Sequence, residues 1–152
     1  MDIRSAVWTD RISLSREDTG FLTHLRQCFI RECGSGREGF LIIERTEAMT
    51  VVDVNTGKSI GRGQKEGHII KINREAARET ARQIRLRNLS GIILVDFIDM
   101  KEKEEEGRLL SYMQTMLNRD SKKAVAVDMT KLGLMEITRK KIRRPLEKED
   151  FL

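Results

Sequence analysis

Met49-Thr50-Val51-Val52-Asp53-Val54-Asn55 and, further on, Gly91-Ile92-Ile93-Leu94-Val95-Asp96-Phe97-Ile98 are the stretches that decide the fold. Each is a short apolar run carrying an aspartate near its C-terminal end. The first, Met49 to Val54, reads as a β-strand. The second, Gly91 to Ile98, is apolar apart from one charge and reads as a strand buried on both faces. Between them, Asn73 is expected to cap a helix from Arg74 to Asn88 with Ala77, Ala81 and Ile84 inward. A strand, a helix and a second strand in that order predict a crossover between parallel neighbours.

Working outward, Phe40 to Glu44 reads as a strand joined to Met49–Val54 by a hairpin loop at Arg45 to Ala48. Glu104 to Asn118 reads as a helix with Leu109, Leu110, Met113, Met116 and Leu117 as its apolar stripe. Ala124 to Met129 reads as a strand, and Thr130 as the cap of a last helix from Lys131 to Arg143, with Pro145 ending the order. The expectation is an α/β fold: a mixed, mostly parallel sheet with an N-terminal β-hairpin, covered by helices. Residues 39–146 form the core, 1–38 an N-terminal extension and 147–152 a tail. In the extension, Ile3 to Leu14 alternates loosely like a strand. Glu17 to Glu32 has helical spacing through Phe21, Leu25 and Phe29, and Gly34-Ser35-Gly36 breaks structure.

The 152 residues suit one domain, and charged residues make up 35% of them, so the profile is that of a soluble, helix-rich protein with the cytoplasm as its expected compartment. No apolar run approaches the roughly 20 residues that span a bilayer, and the N-terminus lacks a secretory signal pattern. The net charge of +5 favours an anionic partner. Cys28 and Cys33 form a lone C-x4-C pair, and His24 and His68 give no compact second pair, so no structural zinc is expected.

Asp53 and Asp96 stand out because an ionised carboxylate in an apolar strand is costly unless paired or metal-bound. If the two strands are neighbours, the two side chains share one site. Hard oxygen donors without Cys or His suit Mg²⁺, or Mn²⁺. Asn55, two residues on, faces the same side as Asp53 and can hold it or a metal-bound water. The same residues also suit a helix cap or surface charges at strand ends. The loop from Asn55 to Gly67 carries Lys58 and Arg62 among four glycines. It looks like a phosphate cradle but matches neither the dinucleotide fingerprint nor the P-loop. Arg78, Arg82 and Arg85 make one helical stripe, readable as a phosphate track or as a solvated face.

These residues together resemble the catalytic core of the ribonuclease E/G family. The matching strings are Thr46-Glu47-Ala48, Asp53-Val54-Asn55-Thr56-Gly57-Lys58, Asn73-Arg74-Glu75-Ala76-Ala77 and Glu79 to Arg87. They continue with Asn88-Leu89-Ser90-Gly91, Asp96-Phe97-Ile98-Asp99-Met100, Leu132 to Arg139 and Arg144-Pro145. The resemblance implies a deoxyribonuclease-I-like subdomain whose metal-binding aspartates are Asp53 and Asp96, with Asn55 in support and a basic RNA-side residue near Lys123. It implies Mg²⁺-dependent hydrolysis of single-stranded RNA to 5′-phosphate and 3′-hydroxyl products. The alternative is an RNA-binding module that keeps the core without useful turnover. Family enzymes usually carry an oligonucleotide-binding domain, a 5′-end sensor and an RNase-H-like subdomain before this core, and a Cys-Pro-x-Cys zinc link after it. None of these is expected within these 152 residues, so a zinc-linked dimer is not expected either.

Overall fold

The computed structural model describes residues 27–31, 37–56 and 66–141. Their elements are β1 (Gln27–Arg31), β2 (Arg37–Arg45), β3 (Met49–Thr56), α1 (Glu66–Leu86), β4 (Gly91–Asp96), α2 (Lys103–Leu117), β5 (Ala124–Met129) and β6 (Leu134–Arg139). The strands form one sheet in the order β1-β2-β3-β4-β6-β5. The α/β class, the hairpin and the mixed sheet follow the sequence expectation.

The hairpin between β2 and β3 turns on Thr46. Its hydroxyl accepts from the backbone N–H groups of Ala48 and Met49 and donates to the Met49 carbonyl. Side-chain alternation then sorts the sheet into two faces. Ile43, Val52, Val95 and Met135 lie in register across four strands and are all buried. They join Ile72, Ala76, Ala77, Ala81 and Ile84 of α1 and Leu109, Met113, Met116 and Leu117 of α2 in one core. Both helices therefore cover this face, and no described element covers the other. Burying each of these larger apolar side chains contributes about 1.5–3 kcal/mol before the entropy of ordering is counted.

Several expectations need correction. The sheet is not mostly parallel, since β3–β4 is the only parallel pair among the described strands. The crossover from β4 through α2 to β5 does run parallel, but β6 slots between those two strands and pairs antiparallel with both. That insertion follows from a second correction: residues 134–139 are a strand, not part of a helix. Thr130 closes a turn instead of capping a helix. Its hydroxyl accepts from the N–H groups of Leu132 and Leu134, and its own N–H donates to the Leu134 carbonyl. Gly133 takes the left-handed conformation, φ 81°, that reverses the chain. Met135, Ile137 and Arg139 then alternate inward, the period of a strand.

The expected helix at Glu17–Glu32 is overturned where it can be seen. Residues 27–31 are β1, paired antiparallel with β2, so strand pairing overrides local helical spacing. Residues before 27 lie outside those described, as do Gly34-Ser35-Gly36 and the stretch around Pro145. Helix α1 begins at Glu66, a turn or more before the expected cap, and Asn73 is fully buried inside it. Finally, β4 is not buried on both faces: Ile93 and Val95 are fully buried while Ile92 is 48% exposed.

Candidate active site

The parallel register of β3 and β4 sets Asp53 directly beside Asp96. In-register neighbours on adjacent strands are about 4.8 Å apart along the hydrogen-bonding direction. The same row continues to Ile42 on β2 and Leu134 on β6, so apolar residues flank the acidic pair. The row alternates with the buried one and lies on the face the helices leave uncovered. Asp53 is half-buried and Asp96 exposed. The Asn55 side-chain amide donates to Asp53 Oδ2 at 2.9 Å, as its two-residue spacing predicts.

The electrostatics oppose two charges here. Partial burial raises the Asp96 carboxyl above the usual aspartate range, although the residue as a whole is exposed. The negative charges of Asp53 and then Asp99 push it the same way. A divalent cation would offset all three effects. The donor set fits Mg²⁺ or Mn²⁺, which need only one or two carboxylates and complete their shells with water. Among the described residues no group of three His, Cys, Asp or Glu side chains is placed to hold a metal. The two aspartates are the residues that would hold such a cation, with Asn55 bonded to one of them.

The described cationic residues singled out in the sequence are not gathered at this pair. Lys58 and Arg62 lie outside the described residues. Arg78, Arg82 and Arg85 are on α1, in the layer on the opposite face of the sheet. Arg78 is exposed and pairs with Glu75. Arg82 bonds both oxygens of Glu79, at 2.9 and 3.0 Å. Arg85 donates to the Met116 carbonyl at 3.5 Å. Lys123 precedes β5, and its carbonyl accepts from the Lys140 N–H. The neighbouring Ala124 is in register with Arg139, and Arg139 with Gly91 at the start of β4. Lys123 thus stands near the opposite end of β4 from Asp96, a separation of about 17 Å along the strand.

Asn73 is the residue that sequence reasoning misplaced. Its side-chain amide donates to the Ile98 carbonyl at 2.8 Å and its Oδ1 accepts from the Ile98 N–H at 3.1 Å. The signal was there to read: Asn73 shares the helical stripe of Ala77, Ala81 and Ile84, where an inward polar side chain requires a partner.

The sequence pattern of the Ribonuclease E/G family matches residues 10–142. The chain belongs to the ribonuclease E/G family. It is 45% identical over 109 residues to Ribonuclease G of Escherichia coli (strain K12), covering 72% of this chain and 22% of that protein. It is 38% identical over 136 residues to Ribonuclease E of Synechocystis sp., covering 86% of this chain and 20% of that protein. The chain thus spans about a fifth of the length of the curated relatives it matches. Asp53, Asn55 and Asp96 lie within the matched span.

Proposed function

We propose that this chain is the metal-binding core of an endoribonuclease that hydrolyses single-stranded RNA to 5′-phosphate and 3′-hydroxyl products with Mg²⁺, or Mn²⁺, as cofactor. The observation that carries the reading is the in-register Asp53–Asp96 pair, braced by Asn55, in a chain of the ribonuclease E/G family. Two adjacent carboxylates alone would repel a phosphodiester, which argues for a cation between them.

In this reading Asp53 and Asp96 bind the cation, and Asn55 fixes the Asp53 carboxylate so that little reorganisation is needed when substrate arrives. When bound, Mg²⁺ supplies charge neutralisation at the phosphoryl oxygens and a nucleophile at neutral pH. Hydrolysis adds water at phosphorus and breaks the bond to the 3′ oxygen, which leaves with a proton. The sheet face that no described element covers would give a single-stranded substrate access to the pair. Lys58 and Arg62, which follow Asp53 closely in sequence, are assigned to the RNA backbone, with Lys123 and the α1 arginines as more distant contacts. Among the described residues no helix is long and apolar enough to cross a membrane.

The deciding assay is cleavage of a labelled, unstructured single strand with Mg²⁺ and with EDTA. Cleavage with Mg²⁺ and none with EDTA is the expected result. Binding without cleavage under both conditions would leave an RNA-binding module, and equal cleavage in EDTA would overturn the metal role.

A further inference from the structure

The ladder of β4 ends at Asp96, which is held between Asp53 on one side and Leu134 on the other. A residue at the end of a strand is where pairing frays, yet Asp96 is one of the two carboxylates of the site. The chain beyond it runs Phe97-Ile98-Asp99-Met100, with Phe97 in the core and Ile98 and Met100 packed against it. Among the described residues the Ile98 peptide groups have no strand partner. Asn73 supplies both missing bonds from α1, 25 residues away, as the edge of another strand would. A second tie follows, from the Lys101 N–H to Glu66 Oε1 at 2.9 Å.

Asn73 has no evident reason to be polar except this clamp. It is fully buried on an apolar stripe, and asparagine is a poorer helix former than alanine by about 0.7 kcal/mol. A leucine there would suit the core and leave the Ile98 N–H and C=O unsatisfied. We infer that Asn73 is a positioning residue for the Asp53–Asp96 site, setting its affinity for a divalent cation by fixing the backbone just beyond Asp96. The inference rests on the reading of that pair as a metal site. Partners that orient metal ligands typically change affinity or activity about 10–100-fold when lost.

The test is Mn²⁺ binding to the full chain, followed by electron paramagnetic resonance and calorimetry, with thermal melting alongside. Asn73→Ala is expected to weaken Mn²⁺ binding at least about 10-fold while remaining folded at the temperature of the titration. Asp120→Asn, which weakens a buried network at the other end of the sheet, is the control. It should melt lower and bind Mn²⁺ like the wild type. Unchanged binding in Asn73→Ala overturns the inference. So does a loss in Asp120→Asn that matches its lowered melting temperature, because the effect would then be general destabilisation. Should Asn73→Ala fail to fold, Asn73→Ser decides, since a single neutral hydroxyl cannot make both bonds to Ile98 and adds no buried charge. A wild type that binds no Mn²⁺ overturns the site reading and this inference together. One that binds Mn²⁺ without cleaving RNA keeps the inference and removes only the nuclease.

Discussion

Asp96 and Asp120 lie toward opposite ends of the same sheet and are treated in opposite ways. Asp120 is matched. Arg139 donates to its Oδ2 at 2.7 Å, both side chains are 4% exposed, and Arg139 also bonds Asn88 Oδ1 and the Leu89 carbonyl. Burial works against the Asp120 carboxylate, but the bonds from Arg139 and the Lys122 N–H, with the charges of Arg139 and Arg85, outweigh it and hold its pKa below the ordinary range. Asp96 faces like charges, and its pKa is raised. Through Arg139, Asp120 ties the loop after α1, β6 and the loop before β5 together, whereas no cationic side chain among the described residues is bonded to Asp96. A carboxylate pushed up by burial and like charge has the character of a functional site, and the pair is where the proposed cation would sit.

The largest effect that can break this contrast is on catalysis. Asp53→Asn and Asp96→Asn should each lower cleavage by at least about 10²-fold, the scale on which loss of one transition-state stabiliser is felt. Single-turnover rates at fixed Mg²⁺ measure it, with circular dichroism to show the fold intact. Near-normal cleavage by either variant would remove the metal-ligand assignment.

At the matched end the effect should fall on stability. Asp120→Asn is expected to lower the unfolding free energy by about 2 kcal/mol, because the buried Arg139 charge loses its counter-ion. Urea titration at neutral pH reads it. The pH dependence has a definite sign. The folded-state pKa of Asp120 lies below the unfolded one. Its contribution is therefore complete above about pH 4 and is lost as pH falls through the folded-state value. The wild type should lose stability in that acid window, and Asp120→Asn should lose less.

The sequence made the two ends unequally legible. Asp53, Asn55 and Asp96 could be read because a charge in an apolar strand breaks a local pattern, and the fold only had to make the strands neighbours. The order of elements from β2 to α2 was readable for the same reason, since Ala77, Ala81, Ile84 and Leu109 carry their periodicity locally. What failed depended on pairing across the chain. Met135, Ile137 and Arg139 alternate over only six residues, too short a window to separate from a helix turn. Thr130 serves a turn as readily as a cap. Asn73 looked like a cap because its partner, Ile98, is 25 residues away. Arg139 fell within the expected last helix because its partners at Asn88, Leu89 and Asp120 are distant in sequence.

A smaller effect sharpens the contrast from the other side. Without metal, Asp96→Asn should melt slightly above the wild type, because it removes a charge that Asp53 and Asp99 oppose. Mg²⁺ should reverse the order. At ten times its Kd a cation that binds only the folded state adds about 1.4 kcal/mol, a shift of several degrees in a domain of this size. Differential scanning fluorimetry with Mg²⁺ and with EDTA compares the two. A wild-type melting temperature insensitive to Mg²⁺ up to saturating levels would mean that the pair binds no cation.

The smallest expected effect concerns the cationic side chains, and the structure ranks them. Each phosphate contact contributes about −0.7 to the salt slope of single-strand binding. Lys123 is exposed, and the described partner of Arg78 is Glu75 at the surface, which a phosphate can replace at little cost. Arg82 is held by both oxygens of Glu79, and Arg85 is turned toward Met116 and Asp120. Lys123→Ala should therefore flatten the slope by about one contact, some 0.7. Arg78→Ala should do less, and Arg82→Ala and Arg85→Ala least. Fluorescence anisotropy of a short unstructured RNA across a salt series measures each. An equal effect from all three arginines would mean that the α1 stripe tracks RNA as a unit, with substrate crossing the helix layer as well as the open face. A flat response at Lys123 with a strong one on α1 would move the RNA path away from the far end of the sheet altogether.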